Sequence, residues 1–322
     1  MSNNLAQLTA QVWADTTPAA ERGLPMRRFG RTEERVSLMC LGGWHIGKPE
    51  DSEAIRIMHA AIDEGVNFFD NAWDYHDGHS EEVMGKALVI GGKRKKVFLM
   101  SKDCERDYTG SLRCLDDSLR RLQTDYLDLW QFHECVYDND PDWIFERGAI
   151  RAAVEAQQAG KVRYIGFTGH KDPRIHLKML EKPYQWDASL MPINVMDAHY
   201  RSFLNEVVPA CHERGVAVLG MKGLGGGYPE GAFLSKAGLG LEECYRFALS
   251  QPIASQVMGI TSMEQLLQNV KLVRGFVPMA ADEQKRLLDK VLAVAADGRF
   301  ETFKSTNQHD GPHHRKQHGF AI

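Results

Sequence analysis

The chain has no apolar run long enough to cross a bilayer and no Gly-x-Gly-x-x-Gly turn after its first strand-like segment. The first absence excludes a helical membrane span and leaves no membrane partner to expect. The second argues against a doubly wound dinucleotide-binding sheet. The six cysteines, Cys40, Cys104, Cys114, Cys135, Cys211 and Cys244, show no paired metal-ligand spacing. In a chain of 322 residues they read as reduced thiols in a reducing compartment. The N-terminal stretch lacks a basic leader with an apolar centre, so no secretory signal is expected and a cytoplasmic location is the default. The formal net charge of −4 and the lack of a basic stretch with interleaved aromatics leave no reason to expect a nucleic-acid partner. Lys93, Arg94, Lys95 and Lys96 form the one basic run of note; it falls between a helix and a strand and reads as a solvated turn.

What the sequence does hold is a regular alternation, with 43% hydrophobic residues to fill one large core. SLMCLGG reads as a first strand. DSEAIRIMHAAIDEG carries a helical apolar stripe through Ala54, Ile57, Met58, Ala61 and Ile62 and stops on Gly65. Helices are expected near 80–90, 111–122 and 173–180, and strands near 97–101 and 126–132. Pro141 opens and Gly160 closes another helix. Strands VRYIGFT, ASLMPIN, VAVLGM and SQVMGI follow with helices between them. Eight strands alternating with helices predict one closed parallel (β/α)8 TIM barrel, with a further C-terminal helix outside the repeat. The expected organisation is an N-terminal arm at 1–25, the barrel at 26–300 and a polar C-terminal tail at 301–322 without a helical stripe.

Polar residues at the carboxyl ends of barrel strands are where such enzymes keep their chemistry. Asp70 closes VNFFD, Tyr75 follows in NAWDY, Lys102 ends KVFLMSK and His133 ends YLDLWQFH. An Asp70–Lys102 pair alone would read as a structural salt bridge. Joined by a tyrosine and a histidine it reads as a catalytic set. This order and spacing resemble the Asp-Tyr-Lys-His tetrad of the aldo-keto reductases. NFFDNAWDYHDGHSEEVMGKAL, SLRCLDDSLRRLQTDYLDLWQFH, KVRYIGFTGH, VAVLGMKGLGGG and GITSMEQLLQNV extend the resemblance over residues 26–275.

The resemblance implies a nicotinamide-dependent oxidoreductase that interconverts an aldehyde, ketone or keto-sugar and its alcohol. Tyr75 would be the general acid, with its phenol lowered by Lys102, Lys102 held by Asp70, and His133 on the carbonyl oxygen. NADP(H) is the favoured cofactor, with NAD(H) an alternative. The implied cofactor residues are Gly43, Trp44, Thr168, Gly169, His170, Asn194, Met221, Lys222, Leu224, Gly226, Gly259, Thr261, Ser262, Gln265 and Asn269. The GLGGG stretch, 223–227, would let backbone amides approach a pyrophosphate. Ser262 also fits an ordinary helix N-cap.

This chain departs from the family pattern at several positions. Thr168-Gly169 stands where the family has Ser-Asn, Leu190 where it has glutamine, and Met221 where it has an aromatic. The nicotinamide ring is therefore expected to rest on Thr168, His170 and Asn194. Ile260 and Gln265 replace the basic residues around the adenosine 2′-phosphate, which leaves Lys222 and Arg274 as candidates to reach it. Trp44, His45, Trp73, Tyr75 and His133 are the expected substrate contacts, whereas Trp143, inside a helix, reads as packing. His309, His313, His314 and His318 lack cysteine or carboxylate partners at defined spacing, so no metal site is expected. Leu5, Leu8, Val12 and Trp13 give the arm an apolar face that would dock elsewhere. The alternative reading is a cofactor-binding regulatory protein of the same fold with slow turnover. A barrel isomerase or phosphate lyase would leave the four-residue set unexplained. No residue pattern encodes an oligomeric state.

Overall fold

The computed structural model describes residues 3–19, 23–226 and 232–321. Two short strands, β1 (Met26–Arg28) and β2 (Arg35–Ser37), pair antiparallel. Eight parallel strands then close a barrel: β3 (Met39–Gly42), β4 (Phe68–Phe69), β5 (Phe98–Asp103), β6 (Leu127–Phe132), β7 (Val162–Thr168), β8 (Ala188–Pro192), β9 (Ala217–Met221) and β10 (Ser255–Gly259), with β10 returning to β3. The expected TIM barrel is what the chain forms.

Its two-residue strand period sorts side chains into two cores. Cys40, Phe68, Met100, Leu129 and Leu219 fill the barrel interior, while their neighbours Leu41, Phe69, Leu99, Trp130 and Val218 face the helices. Phe29 and Val36, from the hairpin, join the interior cluster and so close one end of the barrel. Each fully buried side chain of this size stabilises the fold by roughly 1.5–3 kcal/mol. The helices carry the expected punctuation. Asp172 caps Pro173–Leu180, with Pro173 in the first turn, and Ser262 caps Met263–Arg274.

Both ends of the chain differ from expectation. The arm forms a helix, Asn3–Ala14, that docks on its own barrel: Leu5 is buried, and Trp13 lies 5.0 Å from Phe276 and 4.6 Å from the Arg27 guanidinium. The tail carries two short helices, Thr302–Ser305 and Pro312–Gln317, and folds across the carboxyl rim. Its anchors are polar. Lys304 is fully buried on Asp197, Tyr137 Oη donates to Asp310 at 2.7 Å, and Gln317 Nε2 donates to the Cys104 carbonyl at 2.9 Å. A search for an apolar stripe could not find a helix held this way. The basic run is solvated only in part: Lys95 and Lys96 are exposed, whereas the Arg94 side chain is largely buried and tied to Asp128, Thr124 and two carbonyls between helix and strand.

Candidate active site

Asp70 leaves the end of β4 and Lys102 sits near the end of neighbouring β5, so parallel pairing brings them together. Lys102 is 1% exposed, and its ammonium meets three acceptors: Asp70 Oδ1 at 2.5 Å, the Asn71 carbonyl at 2.7 Å and Tyr75 Oη at 3.1 Å. That uses the donor capacity of the lysine in full. The loop holding Tyr75 is tightly built. His76 and Asp77 adopt left-handed backbone, with φ of 51° and 55°, a conformation that non-glycine residues seldom take. His76 stacks on Trp44 at 4.5 Å and its Nε2 bonds the Trp44 carbonyl at 2.7 Å. Arg121 holds the Trp73 carbonyl at 2.8 Å from the other side.

One expectation about Tyr75 is reversed. Its phenol is pushed well above the ordinary tyrosine value, by burial first and then by the Asp70, Asp74 and Glu134 carboxylates. Desolvation and three negative neighbours outweigh the single ammonium. At neutral pH the group is a protonated phenol.

His133 leaves the end of β6. It is 6% exposed, and burial lowers its pKa, so the ring is neutral near pH 7. Its Nδ1 lies 3.1 Å from Asp74 Oδ1 and 3.4 Å from Cys104 Sγ. Its ring packs edge-on to Tyr75 at 5.6 Å and to His314 of the tail at 5.4 Å. Buried Arg106 fixes the backbone here, donating to the carbonyls of His133 at 2.7 Å and Glu134 at 3.1 Å while pairing with Asp140. Glu134 has φ of 45° and accepts from the Gly311 amide of the tail at 2.7 Å. Burial, followed by the Asp74 charge, pushes its carboxyl up to about 8.

The expected cofactor residues line the same rim, with several engaged by protein groups. Gly43 has no room for a side chain, because an added Cβ would lie 2.4 Å from the Asp70 carbonyl. A Cβ at Gly169 would strike the Cys135 carbonyl at 2.3 Å and His176 at 2.8 Å. His176 also reaches the Leu190 carbonyl at 3.4 Å, which links both departures from the family pattern to one buried histidine. Thr168, at the end of β7, is buried and accepts from Cys135 N at 2.7 Å. Asn194 uses Oδ1 to bond the amides of Met196 and Asp197, while its Nδ2 stays buried without a well-formed bond, facing Glu301. Thr261 bonds Gln265, and Ser262 Oγ accepts from Gln265 N, the plain N-cap. Asn269 is buried in the same helix, Met221 and Leu224 are half-buried, and Gly226 crowds Lys222. Gly227 lies outside the described residues.

Two expectations are corrected. His170 is not open to a ring: it is 4% exposed beneath Phe303 and Asp310, and burial lowers its pKa to about 3. Arg274 cannot serve a phosphate at the rim. It bonds Gly23 and Glu64 at the far end of a 12-residue helix, roughly 18 Å from the helix start. His45, expected at substrate, is half-buried at this rim and packs against Gly259 at the carboxyl end of β10, where an added Cβ would lie 2.4 Å from its Nδ1. Trp73 does sit under the tail, 5.3 Å from His313, with its indole N–H on Asp117. Lys222 points inward over Phe303 at 5.2 Å, towards the Glu134 carboxyl. Trp143, read as packing, stacks on His318 of the tail at 4.5 Å.

Sequence reasoning missed Asp74, Cys104, Arg106, Glu134 and His314. Asp74 adjoins Tyr75 in NAWDY, and Cys104 follows Lys102 by two, so the neighbourhoods of the singled-out residues held the signal. Pro312 and Gly319 bracket the last helix as start and stop, the cue that could have found the segment carrying His314.

A family model described as Aldo/keto reductase family matches residues 38–240. The chain is 35% identical over 237 residues to Uncharacterized oxidoreductase YrpG of Bacillus subtilis (strain 168), a match covering 65% of this chain and 70% of the relative. The chain spans 45 to 70% of the lengths of the first five curated relatives it matches. Among solved structures, aldo-keto reductase AKR11C1 from Bacillus halodurans (holo form) is similar with a TM-score of 0.71 and 25% identity, covering 86% of this chain and 99% of that one. An aldo/keto reductase from Klebsiella pneumoniae, solved with NADP and acetate, shares the fold at a TM-score of 0.66 and 22% identity, covering 84% and 94% of the two chains.

Proposed function

The chain belongs to the Aldo/keto reductase family, a family of nicotinamide-dependent oxidoreductases, and from that premise we propose that it reduces a small carbonyl compound, or oxidises the matching alcohol, with Tyr75 as proton donor and acceptor. The observation that carries this is the single ammonium of Lys102 in contact with Asp70, Asn71 and Tyr75 at once. A bound nicotinamide supplies the hydride. The rim fits such a group: Asn194 keeps an amide donor buried and ill-paired, and Met263–Arg274 presents a helix start beside Thr261 and Ser262.

Tyr75 keeps its proton at neutral pH and releases it only as an oxygen at the rim becomes negative. Lys102, 3.1 Å away, then stabilises the phenolate. Neutral His133 orients the same oxygen by hydrogen bonding. With Arg274 held at the far end of its helix and Lys222 turned inward over Phe303, NADPH is favoured over NADH only modestly. Six buried, unpaired cysteines accord with a reducing, cytoplasmic setting, and among the described residues no helix is long and apolar enough to cross a membrane.

The test is a screen of aldehydes, ketones and keto-sugars followed by absorbance of NADH and NADPH, with Tyr75→Phe alongside. Turnover should fall by roughly two orders of magnitude or more in that variant, with cofactor affinity nearly unchanged. Near-normal turnover would overturn the role of Tyr75. The tail lying against His133 favours a second reading, a cofactor-binding regulatory protein of slow turnover. Tight cofactor binding with no carbonyl consumed would move the conclusion there.

A further inference from the structure

We propose that Asp74, Cys104, His133 and His314 form a binding site for a borderline-soft divalent cation, zinc above all, whose occupancy locks the C-terminal tail over the rim. One donor atom from each residue lies within 4.8 Å of all the others, the one such cluster among the described residues. Two of its edges, 3.1 Å from Asp74 Oδ1 to His133 Nδ1 and 3.4 Å from Cys104 Sγ to the same nitrogen, are close to those of a tetrahedral zinc site. Zinc bond lengths imply edges of about 3.3 Å between nitrogen and oxygen donors and about 3.6 Å to sulfur. An edge at the 4.8 Å limit of the cluster would have to close by about 1 Å on binding.

His314 is the second, independent observation. It is fully buried, and neither ring nitrogen has a hydrogen-bond partner, Glu134 Oε2 being nearest at 3.9 Å. An imidazole buried with both nitrogens unpaired is costly unless something else occupies one of them. Its pKa lies well below the ordinary histidine value, through burial first and then the Arg106 charge, so it presents a neutral ring with a lone pair. Burial and the Asp74 charge hold Cys104 as a thiol, so binding expels one thiol proton to solvent. The ion's two positive charges then face one carboxylate and one thiolate, and the four-residue site is neutral overall.

A thiolate, two imidazoles and a carboxylate suit zinc or cobalt and not magnesium or calcium. Four protein donors complete a tetrahedron and leave no open position, the pattern of structural and not catalytic zinc. Three donors stand on the barrel rim and the fourth on the tail. The ion would therefore tie Pro312–Gln317 to His133, the group proposed to orient substrate, and hold the enzyme closed. The sequence showed tail histidines without cysteine or carboxylate partners; the fold brings both partners in from segments distant along the chain.

The binding test needs no turnover, so it stands apart from the reductase reading. The full chain, stripped with chelator, is titrated with cobalt and then zinc in excess magnesium. The expected result is one cobalt per chain, with a thiolate-to-cobalt charge-transfer band that zinc erases. Cys104→Ser and His314→Gln, each checked for folding by circular dichroism, should both lose the band. Each should weaken zinc by at least the 10–100-fold that loss of an outer-sphere partner costs. Absence of the band, its persistence in either variant, or zinc affinity unchanged in Cys104→Ser, which would mark the other tail histidines as adventitious ligands, each overturns the proposal. If carbonyl turnover is found, zinc should inhibit it reversibly, and His314→Gln should resist. Inhibition equal in both would remove the lock.

Discussion

Replacing Lys102 by methionine separates a structural pair from a chemical one. Lys102 and Asp70 are 1% and 3% exposed and meet at 2.5 Å, so the variant leaves a carboxylate buried without its partner and the Asn71 carbonyl without a donor. Breaking a buried pair from one side costs about 3–5 kcal/mol, because the remaining charge keeps its desolvation penalty. A chain of 322 residues has an unfolding entropy near Tm of about 0.7 kcal/mol/K, so the midpoint should drop by about 4–7 °C. Asp70→Asn combined with Lys102→Met removes both charges and should recover more than half of that loss. If the pair only braces the barrel, the double variant regains activity together with stability. If Lys102 stabilises the Tyr75 phenolate, turnover per folded molecule stays depressed in both variants. Thermal unfolding by calorimetry, run beside carbonyl-reduction rates normalised to folded protein, reads both quantities. Turnover within about threefold of the parent in the double variant would refute the role given to Lys102, since general acid–base contributions are of order 10²–10⁴. An unchanged midpoint in the single variant would refute the cost argued from burial.

Glu134 is raised to about 8, by burial first and then by Asp74. The folded state therefore keeps a proton that the unfolded chain loses near pH 4.3. Stability should fall as pH rises from about 4.3 to about 8 and level off above, and Glu134→Gln should flatten that slope in midpoints measured across the range. Asp310, 3% exposed, ties Lys171, Tyr137 and His170 to the tail. Asp310→Ala should speed amide exchange over 306–321 while leaving the barrel strands protected, and equal protection of the tail in the variant would show that apolar contacts hold it. Arg274 is spent on Glu64 and Gly23, so Arg274→Ala should leave the ratio of NADPH to NADH affinity within twofold, as read by tryptophan quenching. A tenfold loss of NADPH preference would mean that its side chain reaches the adenosine end after all.

The parts of this molecule that were legible in the sequence are those whose stability is local in pattern. The barrel strands are apolar on both faces because both faces are buried, and helices such as Pro173–Leu180 announce themselves by cap, proline and stripe. Asp70, Tyr75, Lys102 and His133 were legible because a parallel barrel turns strand order into spatial adjacency, so residues at consecutive strand ends must meet. The hairpin β1–β2 escaped notice because three-residue strands are too short to show alternation. The sign of the Tyr75 shift escaped for a different reason: a neighbouring lysine can be read from letters, but desolvation and the approach of Asp74 and Glu134 exist only once the rim has closed. The tail combines both difficulties. It buries histidine, lysine and aspartate beside Phe303, and its partners at Cys104, Glu134 and Asp197 lie more than a hundred residues away. Such a segment cannot be stable by itself, because polar groups gain little on leaving water unless every partner is already in place. The tail must therefore order after the barrel, and whatever changes the charge of its buried partners acts on it before it acts on the core.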